Sequence, residues 1–244
     1  MDMKISGSGK IGSGEYDDVR ISGSGRSEGL IRCKSLHASG SYHGDAVECT
    51  EEFKVSGSTK LSGSLTAGKI GISGSFKCED NITVKQTVSV SGAFCCEGNI
   101  KCGELLSSGA TKIGGDIETE RAVIKGNLYC GGLVNAEILE INIGKGVVVQ
   151  EVGSIGGSRI TVKKYGGTEK KGFIERLFGR KRERGILRVR DTIEGDEIYL
   201  ENTIAKVVIG KKITIGDGCK IERLQYTETV AVSSEAQVDS CEKI

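Results

Sequence analysis

Proline and tryptophan are absent from this 244-residue sequence, histidine occurs only twice, and aromatic residues make up 5% of it. Without proline a collagen-like chain is excluded. An apolar fraction of 37% beside 37 glycines is too rich for a disordered tail. No run approaches the ~18 consecutive apolar residues of a membrane-spanning helix. The opening Met1-Asp2-Met3-Lys4-Ile5 turns polar at once, so no secretory signal is expected. The nine cysteines are an odd number with no CxxC pair, the pattern of free thiols in a reducing, cytoplasmic compartment.

The scarcity of histidine also narrows the chemistry. His37 and His43 lie close together, and His37 alternates with apolar Leu36 and Ala38, which points it outward. No Ser-His-Asp set and no paired His/Cys zinc motif can be assembled. Gly7-Ser8-Gly9-Lys10 lacks the spacing of a phosphate loop and the helix that should follow it. Cys78, Cys96 and Cys130 share a repeat position with Leu61 and Ile113, so they read as small buried hydrophobes. The expectation is therefore no enzyme, no cofactor, no metal and no small-molecule substrate.

What is present is a repeat. Apolar-x-apolar-Ser-Gly recurs from Met3-Lys4-Ile5-Ser6-Gly7 through Val19-Arg20-Ile21-Ser22-Gly23 and Phe53-Lys54-Val55-Ser56-Gly57 to Val88-Ser89-Val90-Ser91-Gly92, with looser copies at Gly109 and Gly126. The glycines at 7, 23, 40, 57, 74, 92, 109 and 126 set a period of about 17 residues. Such a unit is too short for two packed helices, and its alternating segments are strand-like. The expected fold is all-β: a parallel β-helix in which each unit is one coil, with each strand pairing to its equivalent one coil away. Equivalent positions should then form inward columns. Two such columns are Met3, Val19, Leu36, Phe53, Ile70, Val88 and Ile5, Ile21, Ala38, Val55, Ile72, Val90. Glycine is expected to supply corner conformations closed to branched residues.

The register blurs beyond Ile143-Gly144. Between Arg159 and Arg190 stand twelve basic and three acidic residues, a balance of +9 that leaves the rest of the chain at −8. Within it Phe173, Ile174, Leu177 and Phe178 form a short helical stripe flanked by Arg180, Lys181 and Arg182. This segment either folds onto the solenoid as a cap or meets an anionic membrane surface or a partner protein. Nucleic acid is disfavoured, because no aromatic platform accompanies the charge. Strand-like sequence returns near Asp191, with Ile209, Ile215 and Ile221 six residues apart. The expected division is a β-helix over 1–150, a basic excursion over 151–190, further coils over 191–232 and a frayed polar tail over 233–244.

The ~17-residue Ser-Gly coils resemble the bactofilins, bacterial polymer-forming cytoskeletal proteins, clearly over residues 3–144 and weakly beyond. The resemblance implies a right-handed β-helix that assembles end to end without nucleotide. It also implies a scaffold for envelope or motility structures, cytoplasmic or peripheral at the inner face of the membrane. Partners would be other copies of the chain, a paralogue, and envelope or motility proteins. Proline-rich flanking tails are missing and the basic segment is extra, both departures from the common pattern. Independently, a β-helix ends in open strand edges, and Met3 and Ile5 are the expected self-assembly edge, since little sequence precedes them to form a cap. Two alternatives stand: an acyltransferase of the hexapeptide-repeat type, suggested by the six-residue isoleucine spacing, and a non-polymerising adaptor working through the basic segment.

Overall fold

A computed structural model describes residues 1–144, 149–164 and 185–244. Among them are 22 β-strands and no helix, and every strand pairing is parallel. The strands wind into a β-solenoid of about 13 turns. A typical coil holds a long strand such as Val47–Val55 and a short one such as Ser58–Leu61. The register shifts near the middle of the long strands, between Ala67 and Lys69 for example, which divides each into two runs. Each coil thus offers three flat walls. They are a back wall (Val47 to Cys49), a front wall (Phe53 to Val55) and, past the Ser-Gly corner, a side wall (Ser58 to Leu61).

Like stacks on like. Met3 pairs with Val19, Val19 with Leu36, Leu36 with Phe53, and Phe53 with Ile70, one coil per step. The second front-wall column runs Ile5, Ile21, Ala38, Val55, Ile72 in the same way. These side chains, Met3 excepted, belong to one continuous buried core. Each contributes roughly 1.5–3 kcal/mol by leaving water. The side wall adds an aromatic stack: Phe76 lies 5.7 Å from Phe94 with nearly parallel rings, and 5.2 Å from Phe53. On the same wall Tyr42 is fully buried and its hydroxyl meets that of Ser27 at 2.7 Å.

The glycine ladder works by proximity rather than by unusual torsion. Positive φ in the left-handed region is confined to Gly14, Gly29, Gly218 and Asn202 among the described residues, none of them in the Ser-Gly ladder. At Gly57 an added Cβ would lie 2.0 Å from the carbonyl oxygen of Gly40, and the same clash recurs at Gly23, Gly40, Gly74, Gly92 and Gly109. The coils approach so closely because each glycine carbonyl accepts a hydrogen bond from the next coil, as Gly40 O does from Ser58 N at 2.9 Å. The expectation that glycine serves a special corner conformation is corrected here: only a hydrogen atom fits between stacked corners. A second corner is held by side chains. Asn81 accepts from the Asn99 amide, Asn99 from Asp116, and Asp116 from Leu133, each at 2.8 Å.

The boundaries drawn from sequence also need correction. Val149–Lys164 and Ile186–Leu200 are strands paired with each other, so most of residues 151–164 and 186–190 belong to the solenoid rather than to a basic excursion. The later coils do not dock as a second body; they continue the same stack through Thr203–Ile215 and Lys220–Val232. Residues 233–244 are not a frayed tail, because Gln237–Lys243 pairs with the preceding coil. The isoleucines at six-residue spacing share no column. Ile209 pairs with Glu194 and is half-buried, Ile215 continues the Leu200 column, and Ile221 lies over Ala205.

Ile141 and Val162 close successive front walls, while Gln150 and Leu187 lie inside the side walls that follow. Gln150 is fully buried, and its Nε2 donates to Gly126 O at 2.7 Å, occupying a carbonyl that the regular repeat offers to a backbone amide. Sequence periodicity gives no hint of that substitution.

Two contrasts test this architecture. Gly57→Ala should lower stability by about 1–3 kcal/mol or more, because backbone must move, whereas Gly71→Ala, with its nearest neighbour 3.8 Å away, should be nearly neutral in thermal melting. Ile72→Lys should lower the melting temperature sharply by placing an unpaired charge in the core; an unchanged melt would place Ile72 outside it.

Candidate functional site: the two rims of the solenoid

A solenoid presents unpaired backbone and uncovered columns where stacking stops. At the N-terminal rim, Met3–Ile5 pairs with Asp18–Ile21 on one side, and among the described residues nothing pairs with its other edge. Met3 is half-buried and Ile5 is 7% exposed, against 1% for Ile21 directly beneath it. The two expected edge residues therefore stand together on the rim. Asp17 ties this coil to the next: it binds the Met1 amino group, and Lys34 Nζ at 2.7 Å. Those partners, Lys34 foremost, lower its carboxyl pKa to about 2.

The C-terminal rim was not anticipated from sequence. Gln237–Lys243 covers only Lys220 to Tyr226 of the strand beneath it. The stretch from Thr229 to Val232 pairs below with Lys212 to Ile215 and carries no described strand above. Val230 and Val232 prolong the columns of Ile213 and Ile215, and Val232 is 44% exposed. Their apolar-x-apolar spacing repeats that of Met3 and Ile5, a signal hidden by the lack of Ser-Gly after Val232.

Other sequence candidates fall as follows. Phe173, Ile174, Leu177, Phe178, Arg180, Lys181 and Arg182 lie outside the described residues. His37 projects from the front wall, 3.1 Å from a Glu52 carboxylate oxygen. All nine cysteines are free, and no group of three or more metal-ligating side chains occurs among the described residues. Burial pushes the thiols of Cys102, Cys130 and Cys219 up to about 11, so they sit in the core as neutral groups. Cys33 and Cys49 stack with their sulfurs 3.1 Å apart. Cys78 and Cys96 stack likewise, both donating to backbone carbonyl oxygens. No helix among the described residues is long and apolar enough to cross a membrane.

The chain is 36% identical over 113 residues to the uncharacterized protein YhbF of Bacillus subtilis (strain 168), covering 46% of this chain and 42% of that protein. It is 41% identical over 54 residues to the uncharacterized protein YhbE of the same organism, covering 22% of this chain and 23% of that protein. The matched region thus spans less than half the length of either relative. No protein-family model matches the chain. No solved structure matches it.

The Asp17 tie gives a pH test of the first rim. A lowered native pKa means the stabilisation is complete above the ordinary carboxylate pKa of about 3.9 and is lost as pH falls through about 2. Asp17→Asn should speed amide hydrogen exchange in Met3–Ile5 at pH 7, and the difference from the parent protein should vanish near pH 2.

Proposed function

We propose that this protein is a nucleotide-independent, polymer-forming scaffold that assembles end to end through the rims of its β-solenoid. The observation that carries the reading is a pair of apolar strand edges, Met3 with Ile5 and Val230 with Val232, over which no described strand pairs, each lying on a column that runs through the stack. Burying such an edge against another coil pairs its backbone groups and removes its side chains from water, the same terms that hold successive coils together. The Ser-Gly repeat supports placement among bactofilin-like scaffolds, with envelope or motility structures as clients and a paralogue as a possible co-polymer. The proposed location is cytoplasmic, or peripheral at the inner face of the membrane.

The acyltransferase alternative is weakened, since Ile209 pairs with Glu194 and is only half-buried, and the coils around these isoleucines are 15 to 17 residues long, short of three hexapeptides. The adaptor alternative keeps the charge of the basic segment, whose described flanks, Val149–Lys164 and Ile186–Leu200, are strands of the solenoid.

Negative-stain microscopy and sedimentation test assembly. The parent protein should form extended polymers at high concentration and low salt. Ile5→Asp and Val232→Asp should each reduce polymer to short oligomers or monomer while the solenoid still melts cooperatively. A parent protein that stays monomeric would overturn the reading, as would aspartate variants that polymerise normally. Charge reversal of Arg180, Lys181 and Arg182 should leave polymers intact and abolish pelleting with anionic vesicles if the segment is a tether.

A further inference from the structure

Away from the rims, the exposed charges follow two different rules. At several places along the solenoid, stacked outward neighbours carry opposite charge. Arg32 pairs with Glu48 at 2.9 Å, Lys101 with Glu118 at 2.6 Å, Arg121 with Glu104 at 2.8 Å and Arg159 with Glu197 at 3.1 Å, all register partners on adjacent coils. Around the Ser-Gly corner of the first four coils the rule inverts. The outward front-wall position runs Lys4, Arg20, His37, Lys54. The outward side-wall position runs Lys10, Arg26, His43, Lys60. Two basic rows therefore straddle one ridge, with rungs about 4.8 Å apart.

Stacking like charges at that spacing works against the fold. Neighbouring acids relieve it only in part. Lys60 reaches Glu79 at 2.7 Å and His37 reaches Glu52 at 3.1 Å, while Lys10 and Arg20 hold longer contacts of 3.6 and 3.7 Å with Glu28 and Asp18. Among the described residues, Lys4, Arg26, His43 and Lys54 have no ion pair. The crest between the rows carries only serine and glycine outward. Ser6, Ser8, Ser22, Ser24, Ser56 and Ser58 are exposed, and their hydroxyls have no intramolecular hydrogen bond among the described residues.

We propose that this ridge is a docking surface for a linear phosphate polymer lying along the solenoid axis. Lysine and arginine supply charge, and the serine hydroxyls supply hydrogen-bond donors to phosphate oxygens. The ridge has no apolar side chain to enter a bilayer and no aromatic side chain on which a base could stack. The occupant that fits is therefore a bare chain of phosphates, inorganic polyphosphate, with no bases to seat. The inference rests on coil register alone and is separate from end-to-end assembly.

Long-chain inorganic polyphosphate is the probe, with the full-length chain carrying Lys170→Ser, Lys171→Ser, Arg176→Ser, Arg180→Ser, Lys181→Ser, Arg182→Ser and Arg184→Ser in every sample, so that the contribution of the basic segment is cut back and is the same throughout. Binding should be measurable and should weaken as salt rises, through counterion release. Adding Arg20→Ser, Arg26→Ser and Lys54→Ser, all clear of the rim strand, should weaken it at least about tenfold and flatten the log–log salt slope by roughly two, for three lost contacts at about 0.7 each. Lys101→Ser, outside the ridge, should change neither. Because the substitutions relieve repulsion, the melting temperature should hold or rise; a fall would make the rows structural and overturn the proposal. Unchanged affinity and slope in the ridge variant would also overturn it. So would ridge-dependent pelleting with phosphatidylglycerol vesicles without polyphosphate binding, since the surface would then belong to a membrane. Polymer formation should be the same with and without the ridge substitutions, so loss of assembly and loss of polyphosphate binding can be told apart.

Discussion

The closeness with which one coil lies on the next governs everything else in this molecule. Where a Cβ on Gly57 would lie only 2.0 Å from the Gly40 carbonyl oxygen, the backbone itself is the packing surface. That contact fixes the register of the whole coil, so apolar residues meet apolar residues and the core becomes a bundle of columns. A one-residue slip would turn each wall inside out. No coil can close a core alone, so stability is shared between neighbours and not concentrated at a centre.

The same register explains how much the sequence disclosed. The columns through Leu36, Phe53 and Ile70 were legible because a glycine punctuates every coil at a steady interval. The later coils were harder to place, for the reason that the structure makes plain. They omit the Ser-Gly step and shorten the repeat, with Ile198 pairing to Ile213 fifteen residues on. Val189 and Ile193, although fully interior, then read as scattered hydrophobes beside charged neighbours. On the side wall the inward position of Leu61, Cys78 and Cys96 was legible, but not the one two residues earlier, where Tyr42, Thr59, Phe76, Phe94 and Thr111 mix aromatic with polar residues.

Of the rims, only the N-terminal edge was visible in advance, since Met3 and Ile5 open the repeat. The C-terminal edge emerged from pairing: the last strand covers one part of the coil below and leaves the part holding Val230 and Val232 bare. The cationic ridge escaped for a related reason. His37 was taken singly as a solvated surface residue, whereas stacking sets it between Arg20 and Lys54 in one outward row. Chemistry in a solenoid accumulates down the axis, and a linear scan sees its members seventeen residues apart.

The Gln150 side chain has its own consequence. It donates to the carbonyl left spare at Gly126, so a departure from the repeat is absorbed within one coil and the walls above it resume in phase. A side-chain amide can thus stand in for a backbone one at a corner, and a coil that lacks the usual punctuation is tolerated without a slip in any column.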